Sequence, residues 1–242
     1  MNKYVQSRDD MLKAINLLQT KKIVGLDTET TGLDPIADDL LLIQIGDADD
    51  QFVFDVARIG NPILHLSDIL SNEGIIKVLH NAKFDLKFLK HKSNLECNNI
   101  RCTMICDQLL YAGRQVSHSL ANTLNRHLGV SMAKTEQKSF IDMKLGEEFT
   151  REQIQYAGDD VIHLPKLYRT LEKILKDRDM LDLMDLEMET IFATADLELN
   201  GIYLDKDKWI ALKDHAEKSA LEAKLELDKH FKVTGYDLDK EK

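Results

Sequence analysis

Ile23-Val24-Gly25-Leu26-Asp27-Thr28-Glu29-Thr30-Thr31-Gly32-Leu33 is the stretch on which the fold turns. Lys21-Lys22 lead into a β-prone apolar run that Gly32 and Pro35 close, so the spacing predicts a strand over 23–29. Side chains two apart on a strand share a face, which sets Asp27 and Glu29 side by side. Carboxylates that close repel and desolvate one another unless positive charge lies between them. Taken alone, the pair also fits two solvated acids at a sheet edge.

Two later stretches supply further acids. The run from Ile75 to Leu79 reads as a strand ending at His80, and Asn81 as the N-cap of a helix with apolar positions Phe84, Phe88 and Leu89. Asp85 then falls in the first turns of that helix, either as a partner of its dipole or at the strand end where α/β folds place their sites. Thr150-Arg151-Glu152-Gln153 fits a capping box, followed helically by Ile154, Ala157, Val161 and Leu164. Tyr156 and Asp160, four apart, share one face of that helix. Gly158 lowers helix stability by about 1 kcal/mol relative to Ala, so it marks a close approach of backbone or ligand, or a packing contact.

The motifs D-x-E in LDTETTGLD, N-x-x-x-D in HNAKFDLKFL and Y-x-x-x-D in YAGDDVIHL together resemble the DnaQ-like 3′–5′ exonucleases, in the subgroup named for four acids and a tyrosine. The resemblance covers about residues 1–178. It implies a ribonuclease H-like α/β fold, with a mixed sheet flanked by helices. It also implies that Asp27, Glu29, Asp85 and Asp160 hold two divalent cations, Mg²⁺ or Mn²⁺, with Asp27 bridging and Tyr156 orienting the attacking water. Gln155 stands where the sister subgroup carries a histidine. By the same resemblance, Asn81 and the K-x-x-Q pair Lys134 and Gln137 face the substrate backbone, and Leu33 wedges against the terminal base. Lys134 reads equally as a solvated surface lysine, and Leu33 as a core leucine. Cys102 replaces an Asp common in relatives, at a position that holds no metal in the pattern.

Elementary chemistry supports the same residues. Phosphodiester hydrolysis needs a nucleophile at neutral pH and relief of charge on the leaving oxygen, and two divalent cations about 4 Å apart provide both. Oxygen ligands without Cys or His favour Mg²⁺ or Mn²⁺ over zinc. A phenol with a reference pKa near 10 directs a hydrogen bond better than it accepts a proton.

At 242 residues and 43% hydrophobic content, the chain can bury one substantial core. No apolar run reaches the length of a membrane helix, and the first ten residues lack a signal-peptide core. Cys97, Cys102 and Cys106 form no metal-binding pattern, pointing to reduced thiols in the cytoplasm or another reducing compartment. The net charge of −10 sits uneasily with nucleic-acid binding, unless bound metal offsets the acids and only a few terminal nucleotides are gripped.

Strand-like runs at 23–29, 40–46, 51–56 and 75–79 alternate with helical runs at 82–92, 118–128 and 150–177. Beyond 180 the chain turns helical. One apolar stripe runs through Leu181, Met184, Met188, Ile191, Ala195 and Leu199, Asn200-Gly201 stops it, and a second begins at Trp209. This part resembles the segment joining exonuclease to polymerase in family A DNA polymerases. The expected division is therefore an exonuclease domain over 1–180 and a helical lead-in over 181–242. The expected substrate is a single-stranded DNA 3′ end, delivered by a polymerase domain of the same longer chain, with no membrane partner. The competing readings are a freestanding ribonuclease D-like exoribonuclease, favoured by the K-x-x-Q and LLIQIGD segments, and an inactive nucleic-acid-binding domain.

Overall fold

The run Ile23–Thr30 forms an inner strand of a six-stranded mixed sheet. The computed structural model describes residues 2–132 and 137–234. Among them the elements follow as β1 (Lys3–Val5), α1 (Arg8–Leu18), β2 (Ile23–Thr30), β3 (Leu40–Gly46), β4 (Gln51–Asp55), α2 (Val56–Ile59), α3 (Ser67–Leu70), β5 (Ile76–Leu79) and α4 (Ala82–Ser93). There follow β6 (Ile100–Cys102), α5 (Thr103–Leu110), α6 (Leu120–Leu128), α7 (Arg151–Ile162), α8 (Leu164–Asp177), α9 (Leu181–Asn200) and α10 (Lys206–Thr234). Spatially the strands run β1-β4-β3-β2-β5-β6. β3 is antiparallel to both of its neighbours, whereas β1 pairs parallel with β4, β5 with β2 and β6 with β5. Every residue of β3 is buried, as expected for a strand covered on both faces.

The seating of α7 brings a distant part of the chain to β2. A Cβ on Gly25 would come within 2.5 Å of the Val161 carbonyl, so only glycine lets the helix backbone lie this close to the strand. The single helical run expected over 150–177 is two helices, divided at His163 with Pro165 in the first turn of α8. Proline has no N–H for the carbonyl four residues back, and that carbonyl is the Val161 group lying over Gly25. At its other end α7 is fixed by the capping box, Gln153 N–H to Thr150 Oγ1 at 3.1 Å and Thr150 N–H to Gln153 Oε1 at 2.9 Å. Gly158 has a packing explanation, since a Cβ there would run into the side chain of Asn2.

The chain divides into two compact units, Met1–Asn200 and Gly201–Lys242, after α9 rather than before it. Within the first unit, α9 buries Met184, Met188, Ile191 and Ala195 and packs on α4 and α5. Lys87 and Lys90 of α4 pair with Glu198 and Asp196 at 2.6 and 2.7 Å. Within the second unit, α10 exposes Trp209, Leu212 and Leu227.

Burying a large apolar side chain contributes about 1.5–3 kcal/mol, so Met184, Met188 and Ile191 together approach the 5–15 kcal/mol of a whole domain's stability. A fragment ending at 200 should therefore melt within a few degrees of the full chain, and one ending at 180 should be strongly destabilised or insoluble. Thermal unfolding of the two fragments checks this; equal melting would mean that α9 is dispensable to the fold.

Candidate active site

Strand periodicity and helix seating converge on one cluster. Asp27 and Glu29 on β2 and Asp160 on α7 offer carboxylate oxygens that all lie within 4.8 Å of one another. Thr28, between the two strand acids, donates its hydroxyl to Asp85 Oδ1 on α4 at 2.7 Å, tying the fourth acid to the same strand. Asp85, Glu29 and Asp160 are only 2–8% exposed. Tyr156 lies beside Asp160 and hydrogen-bonds it.

Burial, and after it the mutual repulsion of the acids, pushes Asp27 and Glu29 well above the usual carboxylate range. Burial raises Asp85 and Asp160 to about 7. Burial and the neighbouring carboxylates also push the Tyr156 phenol up, so it stays protonated and acts as a hydrogen-bond donor. Among the described residues no lysine or arginine lines the cleft above the cluster to compensate this charge. A donor set of carboxylates alone, starved of positive charge, fits hard divalent cations such as Mg²⁺ or Mn²⁺.

The cleft measures about 830 Å³. Leu33 lines it while 81% exposed, so it is no core leucine. Asn81 also lines it, exposed, at the N-cap position of α4. Its backbone is left-handed, with φ 68°, and its side chain makes no capping bond; the expected cap is thus positional only, which leaves the amide toward the cleft. Lys134 lies outside the described residues. Gln137 begins the single 3₁₀ turn Gln137–Phe140, and its side chain likewise lies outside them.

A second polar cluster shapes the opposite wall. Asp107, fully buried, accepts from His118 Nδ1 at 2.6 Å, Arg126 Nη1 at 2.6 Å and His127 Nε2 at 2.7 Å. These bonds hold its carboxyl far below the usual range against the opposing effect of burial. Because an ionised carboxylate only accepts, both imidazoles present N–H to it. The His118 carbonyl in turn takes the Nε2 hydrogen of His80 at 2.8 Å, and burial holds His80 neutral, with a pKa near 4. The end of β5 and the wall at His118 are thereby locked together. Sequence reasoning did not find this cluster; its one signal is Asp107 within the mostly apolar run MICDQLL.

The raised carboxyls have a measurable consequence. Between about pH 4 and pH 7 the native state retains protons that the unfolded chain has released, so metal-free stability falls as pH rises through that window. The metal-free protein should melt several degrees higher near pH 5.5 than near pH 8, and saturating Mg²⁺ should narrow or reverse the gap. Calorimetric scans at both pH values, with Mg²⁺ and with chelator, check it.

Comparison with known proteins agrees with this geometry. A family model described as 3′-5′ exonuclease matches residues 2–176. DNA polymerase I of Aquifex aeolicus is 31% identical over 223 residues, covering 85% of this chain and 36% of that protein. Ribonuclease D of Zymomonas mobilis is 31% identical over 175 residues, covering 72% and 44%. The chain thus spans roughly a third to a half of these relatives. The solved structure of Escherichia coli RNase D superposes with a TM-score of 0.71 at 21% identity, over 88% of this chain and 54% of that one, which shows a shared fold. On this evidence the chain belongs to the DnaQ-like 3′-5′ exonuclease family.

Proposed function

We propose that this chain hydrolyses the terminal phosphodiester of a single-stranded DNA 3′ end, working beside a DNA polymerase, with Asp27, Glu29, Asp85 and Asp160 holding two divalent cations. The observation that carries the reading is the convergence of four acids from β2, α4 and α7 in a cleft that no lysine or arginine among the described residues lines. When bound, the cations supply an ionised water at neutral pH and offset charge on the leaving oxygen. Asp27 sits between the other acids and is the bridging candidate. Tyr156, protonated and bonded to Asp160, directs a hydrogen bond toward the attacking water and takes up no proton. Leu33, exposed at the cleft, meets the terminal base, and the Asn81 amide meets the backbone.

Acids this deeply buried are reached by a frayed terminal nucleotide rather than a paired one, which supports a single-stranded end. The polymerase association rests on the relative Aquifex aeolicus DNA polymerase I. A second reading, a ribonuclease D-like exoribonuclease, is favoured by the several ribonuclease D relatives. No helix among the described residues is long and apolar enough to cross a membrane.

Degradation of 5′-labelled single-stranded DNA beside the identical RNA, in Mg²⁺, Mn²⁺ and chelator, separates the two readings. DNA should be shortened from its 3′ end in either metal and not in chelator; RNA degraded in its place would establish the second. Asp27→Ala should lower the rate far more than tenfold, since tenfold is only about 1.4 kcal/mol of barrier. Tyr156→Phe should bind metal as the wild type does and slow hydrolysis by about 10- to 1,000-fold, the effect of one lost positioned hydrogen bond. If its metal affinity falls as far as that of Asp160→Ala, Tyr156 supports the ligands instead.

A further inference from the structure

Gln44 carries the only buried side-chain polar atoms without a hydrogen-bond partner among the described residues, and both its amide oxygen and its amide nitrogen are orphaned. The residue is wholly inaccessible. It sits in the middle of LLIQIGD, where every other residue of β3 is apolar or glycine. Leaving both halves of an amide unsatisfied in a core is strongly unfavourable, and an apolar residue there would pack without that penalty. Its neighbours narrow what the amide can serve. In the antiparallel pairing, Gln44 lies directly opposite Asp27 on one side and Val53 on the other. Directly opposed residues share a face, with Cβ atoms about 4.5–5.5 Å apart. Two positions away along the strand stand Leu42 and Gly46. Of these neighbours only Asp27 has a side chain that can hydrogen-bond.

We propose that Gln44 is the positioning residue for Asp27: its amide N–H donates to the Asp27 carboxylate in the cation-loaded site and fixes the orientation of the bridging oxygens. An amide whose partner is a metal-holding carboxylate accounts for both orphaned atoms. The role is that of an outer partner, touching the ligand and not the substrate. It rests on the two-cation reading of the site.

The test compares wild type with Gln44→Met, which keeps the length and removes both polar atoms, and with Gln44→Leu, a second apolar residue that removes donor and acceptor alike. In chelator, Gln44→Met should melt several degrees above wild type, because the orphaned amide is gone. Calorimetric titration with Mn²⁺ should show affinity lowered about 10- to 100-fold in both variants, the usual loss for an outer partner of a metal ligand. In the wild type, the Gln44 side-chain NH₂ resonances should shift on Mg²⁺ addition, a readout that needs no variant to fold. Unchanged Mn²⁺ affinity in a folded variant, or NH₂ resonances indifferent to Mg²⁺ in a wild type that binds it, overturns the assignment. A wild type that binds no cation at this site overturns the underlying two-cation reading as well, so the two failures are distinguishable.

Discussion

Carboxylates crowded into a buried cleft, with no lysine or arginine among the described residues facing them, are the constraint that organises this molecule. Burial drives each group toward its neutral form, and for Asp27 and Glu29 the other acids add to it. Hydrogen bonds from Thr28 and Tyr156 offset only part of this cost. Functional sites commonly depart from local stability in this way. Here the deficit has a definite sign, and the missing component is positive charge bound by oxygen.

Holding such a cluster open requires rigid surroundings, and the chain supplies them from several directions. Gly25 lets α7 approach β2, Pro165 ends the helical run just beyond that contact, and the capping box pins the opposite end. Thr28 binds the acid on α4 to the strand between the other two. Across the cleft, Asp107 gathers His118, Arg126 and His127, and His80 joins that wall to the end of β5. The left-handed backbone at Asn81 turns the chain sharply from strand to helix and keeps the amide out of the cap. These are local devices, each costing or contributing on the order of 1 kcal/mol, and together they bring side chains more than a hundred residues apart into one site.

Much of this was legible in the sequence, for identifiable reasons. The strands at 23–29, 40–46 and 75–79 announce themselves by uninterrupted β-prone runs, and the acids by their period on a strand or a helix. β1 and β6, three residues each, are too short to show a period, and α1 and α5 were not anticipated. The break at His163 could have been taken from Pro165; the apolar spacing through Val161 and Leu164 masked it. The division after α9 was hidden because an amphipathic stripe does not reveal which surface it will cover. The Asp107 cluster depends on contacts spanning up to twenty residues, beyond any helical or strand period. Gln44 did leave a trace, as an amide in the middle of an otherwise apolar strand, yet only the structure shows that no described residue satisfies it.

On the proposed reading the net charge of −10 is no obstacle, because bound cations would offset the acids that face the substrate. The account stands or falls on whether cations occupy that cleft. Crystals grown with Mn²⁺ and measured for anomalous scattering test it most directly. The arrangement predicts two peaks about 4 Å apart, both within coordination distance of Asp27, one shared with Glu29 and Asp160 and the other on the side of Asp85. A cleft without anomalous signal at saturating Mn²⁺, or Mn²⁺ bound only elsewhere on the molecule, would contradict it.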